Sequence, residues 1–148
     1  MKFIFLVIFM AIFVTGCGSS SPALLKTHVE SVSFLNPNIY NQPSPVVITI
    51  YQLKSATAFQ QTNFFALYSN PTATLSSDLL DKHEIEIRPN QKLDIKQTIS
   101  PDANYIGILA AFRNPDAAQW RQIIPVTPGS NVKLKINLSA QNLSAKVN

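Results

Sequence analysis

The sequence predicts an all-β domain, a β-sandwich of about seven or eight antiparallel strands with a short helical insertion. Apolar and polar residues alternate with a period of two in several short segments, as in strands with one buried face. The breaks between these segments are rich in Pro and Asn, which are typical of turns. The chain of 148 residues is long enough for one hydrophobic core and short for two, so one folded domain is expected.

Two segments carry the strongest strand signals. Residues 46–53 are β-branched and aromatic on both alternating faces, which predicts a central strand covered on both sides. Residues 105–112 are almost wholly apolar, and Gly107 would let a neighbouring backbone or side chain approach closely. Weaker or half-buried strand patterns cover 29–35, 83–88, 93–96, 120–126 and 132–138.

Residues 55–80 depart from the period of two. Apolar residues recur there at spacings of three to five, which indicates one or two short helices between strands. Ser55 and Asn63 stand where helix N-caps are favoured. The sandwich domain is therefore expected to cover residues 27–148, with the helical insertion at about 55–80.

The first 16 residues predict a signal peptide. Lys2 precedes the apolar run 3–14, whose helix would be about 18 Å long and too short for the roughly 30 Å hydrocarbon core of a bilayer. The following Val14-Thr15-Gly16-Cys17 resembles the lipobox of bacterial lipoproteins. This resemblance implies acyl chains on Cys17 and a flexible tether over residues 17–26, and Gly18, in place of an Asp, implies the outer membrane.

Composition and motifs argue against an enzyme, a metal site, a cofactor and nucleic-acid binding. The formal charge of +4, from 12 basic and 8 acidic residues, is not concentrated in a Lys and Arg cluster. The single cysteine excludes an intramolecular disulfide, and there is neither a nucleophile elbow nor a phosphate-binding glycine loop. His28 and His83 lack further ligands, so each is expected to be a capping or partly buried structural histidine.

Two segments are candidates for binding a partner. Residues 113–121 concentrate polar and aromatic side chains, and we interpret them as a turn closed by an Arg–Asp pair, with Trp120 in the core. Residues 36–45 contain three prolines, which exclude a central strand or a helix. Ile39 and Tyr40 lie at the expected tip of this loop, where they either dock a partner or fold back onto the domain.

Two blocks of sequence resemble the TssJ (SciN) family of type VI secretion lipoproteins. The first begins with Pro45–Lys54 and the second with Pro101–Gly107, and their order and spacing agree with the family over essentially the whole mature chain. Ser69–Asn70–Pro71 departs from the family, because it lacks the acidic residues expected there. The other matching residues are Phe59, Asn63–Tyr68, Leu75, Asp78–Leu80, Ala110–Arg113 and Trp120–Arg121.

The resemblance implies a transthyretin-like β-sandwich that is anchored to the outer membrane and faces the periplasm. Its partner would be the periplasmic domain of the inner-membrane subunit TssM, with TssL in the same membrane complex. The alternative is a periplasmic lipoprotein that binds a small apolar ligand or cell-wall component between its sheets. In the family the loop between the first two strands docks the partner. This loop maps here onto residues 36–45, and the implied binding residues are Asn36, Pro37, Asn38, Ile39, Tyr40, Asn41, Gln42 and Pro43.

Overall fold

The computed structural model describes residues 21–148, so the predicted signal peptide and Cys17 lie outside the described residues. Eight strands form two four-stranded sheets, which confirms the predicted sandwich and its number of strands. In chain order the strands are β1 Leu24–Ser31, β2 Val46–Leu53, β3 Leu79–Ile87, β4 Lys92–Thr98, β5 Tyr105–Ala110, β6 Arg121–Pro125, β7 Val132–Leu138 and β8 Leu143–Val147.

Each sheet contains strands that are distant in sequence. The first sheet has the order β4-β1-β7-β8 and the second has the order β3-β2-β5-β6. Neighbouring strands are antiparallel with one exception, since β1 and β7 run parallel. The sequence predicted antiparallel strands throughout. The period-two pattern could not reveal this pair, because it assigns side chains to faces and carries no information about strand direction.

The central strand β2 is covered on both sides, as its sequence predicted. Ile48 and Ile50 belong to the core between the two sheets. Tyr51 and Leu53 belong to a second core, which lies between the β2 sheet and the helical insertion. The buried apolar residues of the described part run from Leu25 to Leu143, and most of them fill the space between the two sheets.

The helical insertion consists of three short helices, α1 Thr57–Gln61, α2 Phe64–Ser69 and α3 Pro71–Leu75, followed by a 3₁₀ turn at Ser76–Asp78. Asn63 caps α2 as predicted, because its side chain accepts a hydrogen bond from Ala66 N. Pro71 at the first turn of α3 starts a third helix where one or two were predicted, since its fixed φ suits that position.

Gly107 fixes the insertion against the second sheet. A Cβ atom at this position would lie 2.9 Å from two ring carbons of Phe59 and 3.1 Å from Leu53 Cδ1. Phe59 is fully buried and Gly107 is the residue of β5 that admits its ring. The close approach predicted for Gly107 is therefore confirmed, and the group that approaches is the ring of Phe59 on α1.

The structure departs from the predicted strands most clearly at β1, β3 and β8, since β1 covers Leu24–Ser31 and not 29–35, and β3 begins at Leu79 and not at 83. Residues 24–26, which were predicted to belong to the tether, form the start of β1. Leu24 N donates a hydrogen bond to Asn131 Oδ1 at 2.8 Å. The inward-facing Thr27 is polar, and it hid the alternation at the start of β1. β8 was not assigned from the sequence, because this five-residue edge strand carries Ser, Ala and Lys. Among residues 21–148 no helix is long and apolar enough to cross a membrane.

Candidate partner-binding loop

The β1–β2 loop, residues 32–45, lies at the end of the sandwich opposite to the predicted tether. The tether enters β1 at Leu24, and the chain leaves β1 at Ser31. Eight residues of extended strand span about 26 Å at roughly 3.3 Å per residue. The length of β1 thus separates the loop from Leu24, the residue at which the predicted tether joins the strand.

Asn36 holds the base of the loop. Its side chain donates from Nδ2 to Pro45 O at 2.7 Å and accepts at Oδ1 from Arg113 N at 2.9 Å. Its backbone N–H donates to Ala140 O at 2.9 Å. Asn36 is buried and has a φ of 43°, a left-handed conformation that Asn tolerates better than most residues. Both ends of the loop are therefore fixed to the connection between β5 and β6 and to the connection between β7 and β8.

Ser44 and Arg113 close the same base from the other side. Ser44 donates from Oγ to Asn36 O, and Ser44 N donates to Leu35 O at 2.9 Å. Arg113 Nε donates to Ser44 Oγ at 3.0 Å. The predicted Arg–Asp pair is wrong, since neither Arg113 nor Arg121 forms an ion pair with a carboxylate within residues 21–148. Sequence reasoning missed the role of Arg113, which lies 77 positions from Asn36 and carries no local signal of this contact.

Asn38 shapes the tip of the loop. Its Oδ1 accepts hydrogen bonds from Tyr40 N at 2.9 Å and from Gln42 N at 3.0 Å. Its backbone carbonyl accepts from Asn41 N at 2.9 Å, and Asn41 has a φ of 61°. A side-chain oxygen that accepts hydrogen bonds from the backbone N–H groups two and four residues later closes a compact turn. This turn determines where the residues between Asn38 and Gln42 point.

Ile39 and Tyr40 project from that turn into solvent. They are 91% and 76% exposed, so the interpretation in which they fold back onto the domain is wrong. Beside them lies a cleft of about 630 Å³, whose lining residues are Pro37, Asn38, Ile39, Tyr40, Arg113, Asn114 and Gln141. Two exposed apolar side chains on a braced loop, surrounded by amide groups, have the composition of an interface centre with a polar rim.

The other candidate residues have structural roles or are exposed. Arg121 donates to Phe59 O at 3.0 Å and to Thr62 O at 2.7 Å, and its guanidinium lies 4.7 Å from the ring centroid of Trp120. Trp120 packs against both cores, as predicted. His83 is exposed, so its prediction as a capping or partly buried residue is wrong, because β3 is an edge strand. No group of three metal-ligating side chains occurs within residues 21–148.

Comparison with known proteins identifies the family. The family model T6SS-SciN matches residues 24–141, and its description is type VI secretion lipoprotein, with VasD, EvfM and TssJ among its names. The comparison with curated protein sequences gives no significant match.

Solved structures agree with this family. The type VI secretion lipoprotein TssJ1 from Pseudomonas aeruginosa superposes with a TM-score of 0.81 and 31% identity, over 86% of this chain and 98% of TssJ1. Lip from Serratia marcescens, a membrane-bound component of the type VI secretion system, has the same fold at 23% identity, with a TM-score of 0.77 over 85% of this chain and 97% of Lip. A chain in a structure described as the TssM C-terminal domain from EAEC also shares the fold, at 20% identity, with a TM-score of 0.69 over 83% of this chain and 97% of that chain.

The fold implied by the resemblance is therefore confirmed as a transthyretin-like β-sandwich. The alignment covers 98% of TssJ1 and 86% of this chain, so in TssJ1 a chain about as long as residues 21–148 forms this fold by itself. The match of the family model to residues 24–141 shows that this chain belongs to the T6SS-SciN (TssJ) family of type VI secretion lipoproteins.

Proposed function

We propose that this lipoprotein is acylated on Cys17, anchored in the outer membrane, and docked through its β1–β2 loop to the periplasmic domain of TssM. TssL belongs to the same membrane complex in this proposal. The role is structural, since the domain is a rigid spacer between a lipid anchor and a protein partner. The observation that carries the proposal is the exposure of Ile39 and Tyr40 on a braced loop.

The arrangement of the two ends supports this role. The predicted tether leads into the start of β1, and the candidate loop follows the end of the same strand. A pull on the loop is therefore transmitted along β1, which is hydrogen-bonded on both edges to β4 and β7. A strand with partners on both sides resists such a load better than an edge strand, because two rows of hydrogen bonds hold it.

The composition of the loop determines what kind of partner surface fits it. Residues 36–45 contain no charged side chain. Recognition is thus expected to combine burial of Ile39 and Tyr40 with hydrogen bonds to the amides of Asn41 and Gln42, since the Asn38 amide is already bonded within the loop. The matching surface on TssM would be an apolar pocket with polar edges, and the affinity should depend only weakly on salt. The chain of this fold in the structure described as the TssM C-terminal domain supports the choice of partner.

Cys17 is the proposed lipid attachment point. One acyl chain binds a membrane reversibly, whereas several chains bind it stably. The variant Cys17→Ser is expected to move the protein from the membrane fraction to the soluble fraction and to abolish type VI secretion. Secretion by the soluble variant would contradict the anchoring role.

The docking loop is tested by Ile39→Asp combined with Tyr40→Asp in a pull-down with the TssM periplasmic domain. We expect loss of binding with an unchanged melting temperature, because neither side chain contributes to the core. Phe65→Asp with Tyr68→Asp is the matched control, since these two side chains of α2 are also exposed, at 65% and 54%. Equal loss in both pairs, or unchanged affinity of the loop variant, would contradict docking through this loop.

The alternative of a ligand held between the sheets has no support in the fold. Buried side chains of both sheets fill that space, with Ile48, Ile50, Ile106 and Ile136 fully buried among them.

A further inference from the structure

The outer face of the first sheet carries most of the lysines of the chain. Inward residues of β1 alternate with outward Lys26, His28 and Glu30, and the strand register extends this outward face across all four strands. Two carboxylates, on Glu30 and Asp94, share the face. Six of the nine lysines in the sequence lie there, namely Lys26, Lys92, Lys96, Lys133, Lys135 and Lys146.

The carboxylates neutralise only part of this face. Glu30 accepts contacts from Lys135 at 3.1 Å, Lys92 at 3.3 Å and His28 at 3.2 Å, and these partners lower the pKa of Glu30 to about 2. Asp94 contacts His28 at 2.6 Å. No ion pair is formed by Lys26, Lys96 or Lys133 within residues 21–148.

These three unpaired lysines stand directly abreast. Lys96 and Lys133 are the register partners of Lys26 on its two sides, and all three are exposed. Adjacent strands are about 4.8 Å apart, and like charges directly opposite each other destabilise a sheet. A cleft of about 520 Å³ lies against this lysine row, and its lining includes all three lysines together with His28 and Asp94, whose side chains contact each other. An anion in the cleft would relieve the repulsion.

The lysine row, Lys96–Lys26–Lys133, lies at the tether end of the sandwich. Lys26 is the third residue of β1, and its strand starts seven residues after Cys17. Seven extended residues reach at most about 25 Å. Acylation of Cys17 would therefore keep the start of β1 within about 25 Å of the membrane surface, so that the lysine row can contact this surface while the β1–β2 loop lies at the other end of β1.

We propose that the lysine row binds the headgroups of anionic phospholipids in the membrane that carries the anchor. The position of the row relative to the membrane rests on the proposed acylation of Cys17. The affinity of the row for anionic lipid is independent of acylation, because the three lysines belong to the folded domain. Binding would fix the tilt of the domain, so that the docking loop is presented away from the bilayer.

The test is flotation of the purified domain, residues 21–148, with vesicles of phosphatidylcholine alone or mixed with phosphatidylglycerol. Binding is expected with the mixed vesicles only, and it should fall as salt is raised. Each basic residue near an anionic surface contributes about fivefold to partitioning. Lys26→Gln with Lys133→Gln should thus lower the partition coefficient on the order of twentyfold.

Lys82→Gln with Arg88→Gln is the matched control, because it removes the same charge from β3 and its end in the other sheet. Its partition coefficient should stay within about twofold of the wild type. Equal losses in the two double variants, or equal binding to neutral vesicles, would overturn the proposal. The domain lacks Cys17, so this result is independent of the membrane fractionation of Cys17→Ser, and either proposal can fail alone.

Discussion

Replacing Asn38 with alanine should weaken partner binding without unfolding the domain. The substitution removes the acceptor of two backbone hydrogen bonds, from Tyr40 N at 2.9 Å and Gln42 N at 3.0 Å. Each is worth about 0.5–1.5 kcal/mol net, and both are exposed, so the ordered loop should lose about 1–2 kcal/mol. The partner must then supply that free energy to order the tip, and the dissociation constant should rise roughly 5- to 30-fold.

Asn38→Asp is the matched control for this effect. Aspartate keeps the accepting oxygen, loses the Nδ2 bond to Gln42 Oε1 at 3.2 Å and adds one negative charge, so its affinity should stay closer to that of the wild type than the affinity of Asn38→Ala does. Isothermal titration calorimetry with the TssM periplasmic domain measures the affinity, and hydrogen exchange of the Tyr40 and Gln42 amides measures loop order. The reasoning would be refuted if Asn38→Ala bound as tightly as the wild type, or if Asn38→Asp lost as much as Asn38→Ala.

Two further predictions concern the stability of the domain. Gly107→Ala should lower the free energy of unfolding, measured by urea denaturation, by about 1–3 kcal/mol, because the new Cβ would lie 2.9 Å from the buried Phe59 ring. An unchanged free energy of unfolding would contradict this packing. The hydrogen bonds of His28 to Asp94 and Glu30 raise its pKa above 6.5. Protonated His28 therefore stabilises the fold below about pH 6.5, and this contribution disappears as the pH rises through the raised pKa. The melting-temperature difference between wild type and His28→Gln should shrink as the pH rises above about 6.5, and a difference that stays constant with pH would exclude this linkage.

Much of the fold was predictable because burial on a strand has a period of two. The limits of β2 and β7 agree with the predicted 46–53 and 132–138, since their apolar residues are numerous and regular. β1 was misplaced by several residues, because the inward polar Thr27 and the apolar Leu24 next to Leu25 weaken its alternating pattern. The parallel pairing of β1 with β7 could not be predicted, since it joins strands that are about a hundred residues apart.

The candidate site was predictable only in part. Three prolines and an apolar tip identified residues 36–45 as a loop, but two outcomes were open for Ile39 and Tyr40. Their exposure depends on Asn38 closing the turn and on Asn36 and Arg113 bracing its base. The turn at Asn38 is local, whereas the contact between Asn36 and Arg113 joins segments 77 residues apart, and no local pattern records such a contact.

The sequence by itself determined the class of fold, the position of the helical insertion and the candidate loop, because alternation, turn residues and caps are local properties. The lipobox likewise needs no structure to be recognised, and lipidation of Cys17 remains a prediction. The tertiary structure decided what depends on strand direction and register. It placed the loop about 26 Å from the start of β1, and it set Lys26, Lys96 and Lys133 side by side. Charges that are scattered along a chain become a binding face only when three strands align them.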